Sequence, residues 1–298
     1  MNGGQKQTVA AVIVHWGPAL PSIELAGWLA RCPSINEVIV VANNQMSCPD
    51  GIEPSIRWLV PSRNLGFARA FDTAVCEYPG HDVYLLLNND VQLSRTTIDA
   101  CLALLSAENV GVVAPALYNN LGLQSGAGTV SRFVMEPRVR GEGTGARDTV
   151  WVTGAVMFIR AACYKEIRFD QRFFLGGEDV DFCLRLRSAG WRVLVTFADP
   201  ARHRGGSTIP SNGFQYYAIR NRLWLVRRHG GGYRYVAAVC RVAGFLLART
   251  LVADLLKRRG LIRTKLVFHG LIDGVRPMPT LNEPRPDEPR PSLWLDWR

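Results

Sequence analysis

Short apolar runs alternate with amphipathic segments over the first 116 residues of the chain. Residues 83–87 form a continuous apolar run, typical of a strand covered on both faces, and further strands are predicted at residues 9–15, 37–42 and 56–60. The segments between and after them predict helices at residues 22–30, 66–77 and 94–105. Strands that alternate with helices are typical of βαβ units, so the pattern predicts an α/β fold with a mostly parallel sheet.

The pattern changes in residues 118–149, where six glycines lie among polar residues. We predict a flexible loop that closes over substrates, and an inert surface insertion is the alternative. Farther on, residues 151–160 predict another strand, and residues 215–229 predict a helix rich in aromatic residues and arginines.

Polar residues follow the strand predicted at 83–87 without a gap. They are Asn88, Asn89 and Asp90, and ligands of open α/β sheets bind at the carboxyl ends of strands. Asp90 is the only anion among the three, and one carboxylate with substrate phosphate suffices to bind a hard divalent cation. His203 is a second candidate ligand for a metal or a phosphate. The alternatives are an ordinary turn at 88–90 and a surface histidine between two arginines.

Three carboxylates lie within one turn of a helix predicted inside residues 174–191. Glu178, Asp179 and Asp181 follow a glycine pair, at the end of a helix that stabilises negative charge, and Gly190 fits the position of a C-terminal stop. A carboxylate held in this way can be directed into a cleft. An N-capped surface helix is the alternative.

In this order and spacing the segments resemble the family-two glycosyltransferases, and within them the bacterial rhamnosyltransferase-like branch. The similarity runs from about residue 9 to residue 230. The matching stretches are VAAVIVHW, EVIVVANN, RNLGFARAF, LLLNNDV, WVTGAVMFIR, FFLGGEDVDFCLRLRSAGW, HRGGST and YYAIRNRLWLVRRH. The resemblance implies a GT-A fold, in which a Rossmann-like sheet binds a nucleoside diphosphate sugar, and transfer of the sugar with inversion.

The resemblance also implies roles for the charged residues. Asp179 matches the general base that deprotonates the acceptor hydroxyl, and Glu178 matches an orienting or acceptor-binding group. Asp90 and His203 match positions that hold a divalent metal, Mg²⁺ or Mn²⁺, and the diphosphate. In the helix predicted at 215–229, one of two arginines is expected to contact the diphosphate of the acceptor: Arg220 and Arg222.

Smaller residues are expected to line the donor site. These substrate-binding positions are Asn43, Asn64, Gly66, Ala68, Asn88 and Gly154. Ala42 stands where many relatives have the aspartate that recognises the nucleobase, so we expect Asn43 to read the base through its amide. Asn88 and Asn89 replace aspartates of many relatives, and we therefore expect weaker metal binding.

Positive charge is concentrated in the C-terminal third. Residues 201–298 carry 18 Lys and Arg against 6 Asp and Glu, whereas residues 1–200 carry 17 against 19. Residues 236–256 are apolar but contain Arg241, Arg249 and Asp254, which disfavours a spanning helix and favours an interfacial helix on an anionic membrane surface. The alternative is an amphipathic helix packed on the catalytic domain.

These patterns predict a catalytic region at residues 1–212, a helical C-terminal region at 213–276 and a proline-rich tail at 277–298. Within the catalytic region, about residues 1–116 are expected to bind the nucleotide sugar and about 117–212 the acceptor. The seven cysteines show no CxxC spacing, so we expect neither a zinc site nor a disulfide framework. No recognised motif for nucleic acid accompanies the positive charge, so no nucleic-acid partner is expected.

The expected function is inverting transfer of a sugar, a deoxyhexose such as rhamnose, from a dTDP- or UDP-sugar to a lipid-linked or glycan acceptor in cell-wall or polysaccharide synthesis. No cleavable signal is visible in the first residues, so we expect a cytoplasmic protein that is peripheral at the inner face of the cell membrane. Two alternatives are a sugar-nucleotide pyrophosphorylase and a non-catalytic nucleotide-sugar-binding subunit. The residues after the first strand lack the glycine-rich phosphate loop of the former, and the retained Asp179 argues against the latter.

Overall fold

The computed structural model describes residues 7–131, 134–141, 143–204, 211–257 and 260–280. The strands are β1 (Val9–His15), β2 (Glu37–Ala42), β3 (Ile56–Leu59), β4 (Val83–Asn88), β5 (Val91–Gln92), β6 (Val110–Asn119), β7 (Gly122–Ser125), β8 (Ala127–Val130), β9 (Pro137–Arg140), β10 (Ala146–Asp148), β11 (Val156–Arg160) and β12 (Arg192–His203). The helices are α1 (Ala19–Ala30), α2 (Gly66–Glu77), α3 (Arg95–Leu105), α4 (Ala161–Glu166), α5 (Glu178–Ser188), α6 (Ser211–His229), α7 (Gly232–Cys240), α8 (Leu247–Leu256) and α9 (Ile262–Val275). The matched stretch HRGGST lies outside the described residues after Arg204, as does the tail from residue 281.

A ten-stranded sheet forms the core, in the order β10-β12-β6-β11-β4-β1-β2-β3, with β5 paired to β12 and β7 to β6. Strands β4, β1, β2 and β3 are parallel. Strand β11 is antiparallel to both β4 and β6, and β12 runs parallel to β6. Because β11 is reversed, its first residues lie at the edge of the sheet where β4 and β12 end.

The continuous apolar character of β1, β2 and β4 follows from burial on both faces. Alternate residues of β1, Val9, Ala11 and Ile13, share one core cluster with Leu29 of α1 and Ile98 of α3. The residues between them face the other side and are equally buried. This two-sided cover confirms the prediction of a mostly parallel sheet flanked by helices.

The prediction of a flexible loop over residues 118–149 is wrong. Strand β7 pairs with β6 and strand β10 pairs with β12 in the large sheet, while β8 and β9 form a separate two-stranded sheet. Some of its glycines allow close packing: a Cβ added at Gly128 would lie 2.2 Å from the carbonyl oxygen of Trp151. By contrast, Gly190 has the left-handed backbone (φ +91°) expected of a helix stop.

The chain divides into two compact units. The first comprises Met1–Thr129, Val139–Phe169 and Asp179–Gly205, and the second comprises Val130–Arg138, Asp170–Glu178 and Gly206–Arg298. This division differs from the contiguous regions predicted from the sequence, because two short earlier segments belong with the C-terminal helices.

Ion pairs and aromatic side chains tie these segments together inside the second unit. Burial alone would raise the pKa of Asp170, but hydrogen bonds from Arg172 and Arg228 outweigh it and lower the pKa to about 2. Phe174 stacks on Tyr217 of α6 with ring centroids 5.4 Å apart. The segment 170–178 is therefore held to α6 by both charge and packing.

Residues Gly232–Leu256 form a helical stretch of 25 residues that is long and apolar enough to cross a membrane by length and composition. It consists of α7, a π-helical segment at Arg241–Leu246 and α8. It contains the helix predicted at residues 236–256.

Candidate active site

Asp90 and His203 meet at the edge of the sheet where β4 and β12 end. Asp90 follows β4 in the turn to β5, and His203, the last residue of β12, pairs with Val91 of β5. The His203 Nε2 atom lies 3.0 Å from Asp90 Oδ1 and 3.2 Å from Asn88 Nδ2. Both side chains are largely buried. The structure thus brings together the two residues that the sequence suggested as metal ligands.

Asn89 has a different environment from Asn88. Its amide donates to the carbonyl oxygen of Trp16 at 3.1 Å and lies 3.4 Å from His15 Nδ1, and it is buried. His15 Nδ1 also lies 2.6 Å from the Ser22 hydroxyl, and burial lowers the pKa of His15. Asn89 therefore secures the turn after β1 and is directed away from His203.

Asp179 lies at the start of α5, at the same edge of the sheet. Its Oδ2 accepts a hydrogen bond from the Gly154 amide at 3.1 Å, and its Oδ1 accepts one from the Val180 amide at 2.8 Å. The carbonyl of Ala155, next to Gly154, accepts a hydrogen bond from the backbone amide of Asn88 at 2.9 Å. A short chain of hydrogen bonds therefore connects the predicted base to the strand end that carries Asp90.

The environment of Asp179 changes its acidity. Burial raises the pKa of Asp179, and the backbone amides of Gly154 and Val180 offset this only in part. Gly154 itself has no room for a side chain, because an added Cβ would lie 2.7 Å from the ring of Phe67. This close contact explains the glycine at a position predicted to form the floor of the sugar site.

The turn before α2 is built by the polar residues expected beside the donor. Asn64 Oδ1 accepts from the amide of Gly66, whose backbone is left-handed (φ +72°). Asn43 donates to the carbonyl of Gly66 at 3.0 Å and accepts from the amide of Leu65 at 2.8 Å. Ala68 is fully buried in the first turn of α2.

These contacts change the role expected of Asn43. Both polar atoms of its amide are engaged with backbone, and the side chain is buried. Asn43 therefore shapes the turn before α2, and the reading of the nucleobase by its amide stays a prediction. Residue type alone did not show which way the amide points.

Glu178, Arg220 and Arg222 belong to the second unit. Arg220 is 2% exposed, and its guanidinium lies over the ring of Trp224 at 4.3 Å. Arg220 is thus buried among aromatic rings, and its contact with the diphosphate of an acceptor stays a prediction. Arg222 pairs with Glu136 at 3.2 Å, and desolvation lowers its pKa. Glu178 is buried at the first position of α5.

Two polar residues next to the candidate groups were not predicted from the sequence. Gln124 Oε1 lies 3.0 Å from His203 Nδ1. Asn221 donates to the carbonyls of Leu175 and Gly176, at 3.0 and 2.5 Å, within the second unit. Gln124 gave no signal because it lies in the segment predicted to be a flexible loop.

A pocket of about 350 Å³ opens beside Asp90 in the first unit. Its walls include Glu24 and Trp28 of α1, the turn that carries Asp90, and Arg204. This volume is in the range of small-molecule sites in proteins.

Three comparisons with known proteins bear on this arrangement. Residues 129–226 match the family model described as glycosyltransferase like family 2. The chain is 25% identical over 215 residues, 61% of this chain and 70% of the relative, to the N-acetylglucosaminyl-diphospho-decaprenol L-rhamnosyltransferase of Mycobacterium tuberculosis (strain CDC 1551 / Oshkosh).

Two solved structures share the fold. The mannosyltransferase PcManGT of Pyrobaculum calidifontis, solved with GDP-Man and Mn²⁺, has a TM-score of 0.52 at 14% identity, over 91% of this chain and 88% of that chain. GalNAc-T7, solved with UDP, GalNAc and Mn²⁺, has a TM-score of 0.57 at 13% identity, over 75% of this chain. The chain spans about half, 48%, of the length of GalNAc-T7.

The sheet and its helices form a GT-A fold, which the chain shares with these two structures. The family match over residues 129–226 and the 25% identity to the mycobacterial enzyme make the chain similar to family-two glycosyltransferases of the rhamnosyltransferase-like kind. This similarity agrees with the family that the sequence motifs indicated.

Proposed function

We propose that this enzyme transfers a sugar from a nucleoside diphosphate donor to an acceptor hydroxyl with inversion, using Asp179 as the general base. One observation carries the proposal. The carboxylate of Asp179 accepts a hydrogen bond from the backbone amide of Gly154, and the carbonyl of the next residue, Ala155, accepts one from the backbone amide of Asn88, two residues before Asp90. Two carboxylates from distant parts of the chain thus serve one edge of the sheet. An inverting transfer requires a base and a leaving-group site on opposite faces of the sugar.

Asp179 has the properties that a general base needs. An alcohol is a poor nucleophile at neutral pH, and a carboxylate within hydrogen-bond reach accelerates attack by accepting its proton. The raised pKa of Asp179 makes its carboxylate a stronger proton acceptor than an exposed aspartate. Its bonds to Gly154 and Val180 fix its orientation.

Asp90 and His203 suit a divalent metal. A carboxylate oxygen and an imidazole nitrogen converge to 3.0 Å, which is compatible with two ligands of one ion. No group of three or more His, Cys, Asp or Glu suited to a metal occurs within the part of the chain that the structure describes. The remaining ligands would come from donor phosphates and water, as is common for Mg²⁺ and Mn²⁺. When bound, such an ion supplies positive charge next to the departing diphosphate.

The donor that we propose is a dTDP- or UDP-linked deoxyhexose such as rhamnose, and the acceptor a lipid-linked saccharide. The similarity to the mycobacterial rhamnosyltransferase supports both choices, since its name specifies rhamnose and a decaprenol-linked acceptor. The pocket of about 350 Å³ beside Asp90 offers space for part of a donor.

The test is to incubate the enzyme with a panel of nucleoside diphosphate sugars and to measure transfer and donor hydrolysis separately, with Mn²⁺, with Mg²⁺ and with EDTA. We expect transfer from one deoxyhexose donor and its loss in EDTA. A reaction that instead forms a nucleotide sugar from sugar phosphate would identify a pyrophosphorylase. Donor binding without transfer or hydrolysis would identify a binding subunit.

We further propose that the second unit binds an anionic membrane surface. Its helices α7 to α9 expose a set of large apolar side chains, here termed the apolar face: Tyr233, Val236, Phe245, Leu251, Val252, Leu255, Leu256, Leu261, Ile262 and Phe268. Residues 211–280 contain only two acidic residues, Asp254 and Asp273, and each is engaged in hydrogen bonds within the unit. An apolar surface accompanied by cations fits anionic lipid headgroups.

The contacts of Asp254 favour binding at the interface over spanning. Its Oδ2 accepts from the amide and the hydroxyl of Thr264, both at 2.9 Å, which joins the end of α8 to the start of α9. The side chain of Asp254 is buried. A spanning arrangement of residues 232–256 would break these bonds and expose the carboxylate to the hydrocarbon core of the bilayer, which is costly.

Co-sedimentation with vesicles tests the membrane proposal. Leu255→Ser with Leu256→Ser, at positions 63% and 80% exposed, should reduce binding to vesicles that contain phosphatidylglycerol. The matched control is Leu121→Ser in the first unit, which is 96% exposed and should leave binding unchanged. Equal binding by the double variant and the control would refute the proposal.

A further inference from the structure

Gln124 has no role in the reaction as proposed so far, yet it is the hydrogen-bond partner of His203 on the side away from Asp90. Its Oε1 lies 3.0 Å from His203 Nδ1, while His203 Nε2 lies 3.0 Å from Asp90 Oδ1. The imidazole is therefore held between an amide oxygen and a carboxylate.

The path of the backbone explains how Gln124 reaches this position. In the pairing of β7 with β6, Ser125 is opposite Leu117 and Leu123 is opposite Tyr118, so Gln124 is an extra residue at a β-bulge. Such bulges redirect a side chain, and they are frequent next to active sites.

On the opposite side of β6, the same two residues pair with β12, the strand that ends at His203. Leu117 and Tyr118 pair with Ala201 and Arg202 at the end of β12, and His203 follows directly. The bulge therefore directs Gln124 across β6 towards the imidazole. This placement depends on the register of three strands.

The Gln124 amide oxygen next to Nδ1 favours one tautomer of His203. An amide oxygen only accepts hydrogen bonds, so Nδ1 of the imidazole must donate. A neutral imidazole carries one N–H, and Nε2 is then left with a lone pair directed towards Asp90 and Asn88. In this tautomer the lone pair faces the carboxylate at 3.0 Å, an arrangement that suits a shared cation.

We propose that Gln124 is a positioning residue that sets His203 in the tautomer whose Nε2 binds the divalent metal. The inference rests on the proposed metal site of Asp90 and His203, and it extends that site to a residue outside it. Histidine ligands commonly donate their second N–H to a nearby acceptor, which fixes the ring and strengthens its bond to the metal.

The experiment measures Mn²⁺ binding to the full-length protein without donor, by electron paramagnetic resonance, in the wild type and four variants. His203→Ala should weaken binding, and Gln124→Met, which has similar size but no strong acceptor, should weaken it about 10- to 100-fold. Gln124→Glu keeps an acceptor and should bind Mn²⁺ at least as tightly as the wild type. The double variant Gln124→Met/His203→Ala should bind no more weakly than His203→Ala alone.

A second measurement observes the tautomer itself. Long-range ¹H–¹⁵N spectra of the metal-free protein should show the proton of His203 on Nδ1 in the wild type and in Gln124→Glu, and a mixture in Gln124→Met. The His203 signal is assigned by its absence from His203→Ala, and thermal unfolding verifies that each variant is folded.

The outcomes distinguish the metal site from the positioning role of Gln124. If His203→Ala binds Mn²⁺ as the wild type does, the proposed metal site itself is refuted, and the role of Gln124 with it. If His203→Ala weakens binding but Gln124→Met does not, or if Gln124→Glu is as defective as Gln124→Met, only the positioning role is overturned.

Discussion

The local environment of Asp179 raises the pKa of its carboxyl group, which suits a general base. An exposed aspartate has a pKa of about 3.9 and is a weak proton acceptor. Burial raises the pKa of Asp179, whereas its amide partners Gly154 and Val180 keep the ionised form accessible. Because its pKa in the folded protein is raised, Asp179 becomes protonated at a higher pH than an exposed aspartate when the solution is acidified.

We predict that Asp179→Asn lowers kcat by about 10²- to 10⁴-fold, since an amide cannot accept the proton of the acceptor. Donor binding, measured by calorimetry, should change little. In the wild type, kcat/KM should fall on acidification with a midpoint above the ordinary aspartate value. The matched control is Asp50→Asn at an exposed aspartate, which should be fully active. Near-normal transfer by Asp179→Asn would remove the proposed base.

Asn88 and Asn89 are adjacent in sequence, but replacing each by aspartate should have opposite effects. The Asn88 amide lies 3.2 Å from His203 Nε2, so Asn88→Asp would add a second carboxylate to the proposed metal site. We predict that this change tightens Mn²⁺ binding at least about tenfold through added charge. Calorimetric titration with Mn²⁺ measures it.

Asn89→Asp is the contrasting variant. It would place a buried carboxylate against the carbonyl oxygen of Trp16 in place of an amide donor, and we expect a loss of about 1–3 kcal/mol in the free energy of unfolding with no gain in Mn²⁺ affinity. If both variants bound Mn²⁺ equally tightly, the assignment of Asn88 alone to the metal side would be wrong.

The sequence predicted where the candidate residues lie better than how their side chains are oriented. Asp90 and Asp179 were identifiable because polar residues follow a buried strand and a glycine pair precedes a helix. The direction of an amide is set by tertiary neighbours, so Asn43, Asn89 and Gln124 could not be assigned from residue type.

Among the helices and strands, the periodicity of apolar residues predicted those elements whose sequence pattern is set by burial. Strands β1 and β2 and helix α2 have the predicted bounds, since burial on one or both faces dictates their apolar patterns. Strands β7 to β10 were missed because they are only three or four residues long and lie in a segment with many glycines. Their pairing depends on partners such as β6 and β12, which no local pattern identifies.

The link between α8 and α9 carries a prediction at this scale. Asp254 accepts two hydrogen bonds from Thr264 in the first turn of α9, where negative charge is also favoured by the helix dipole. Asp254→Ala should lower the free energy of unfolding by about 1–3 kcal/mol, because it leaves a partly buried amide without its acceptor. Chemical denaturation and hydrogen exchange at the Thr264 amide measure the effect.

Two milder variants test the mechanism of this link. Thr264→Ala loses only the hydroxyl bond and should cost less than Asp254→Ala, whereas Thr264→Ser keeps both bonds and should cost least. If all three variants were equally stable, Asp254 would not join the two helices.

At the scale of the whole molecule, the two compact units carry different kinds of chemistry. The first unit contains Asp90, Asp179 and His203, and the second contains the apolar face and most of the C-terminal positive charge. The sequence indicated this asymmetry through charge, but it did not show that the segments 130–138 and 170–178 belong with the C-terminal helices. Those assignments depend on contacts between residues far apart in the chain, such as Asp170 with Arg228.

If the second unit serves to bring the enzyme to membrane-bound acceptors, its apolar face should affect turnover only when the acceptor is in a bilayer. Binding to the same surface raises the local concentration of enzyme and acceptor, by factors that reach 10²–10⁴ in linked systems. We predict that Leu255→Ser with Leu256→Ser lowers the transfer rate at least about tenfold with a lipid-linked acceptor in anionic vesicles. The same variant should match the wild type with a short-chain, water-soluble acceptor, and Leu121→Ser should match it with both. Equal loss with both acceptors would show that the leucines act through folding or the active site, and no loss with either would separate the apolar face from the reaction.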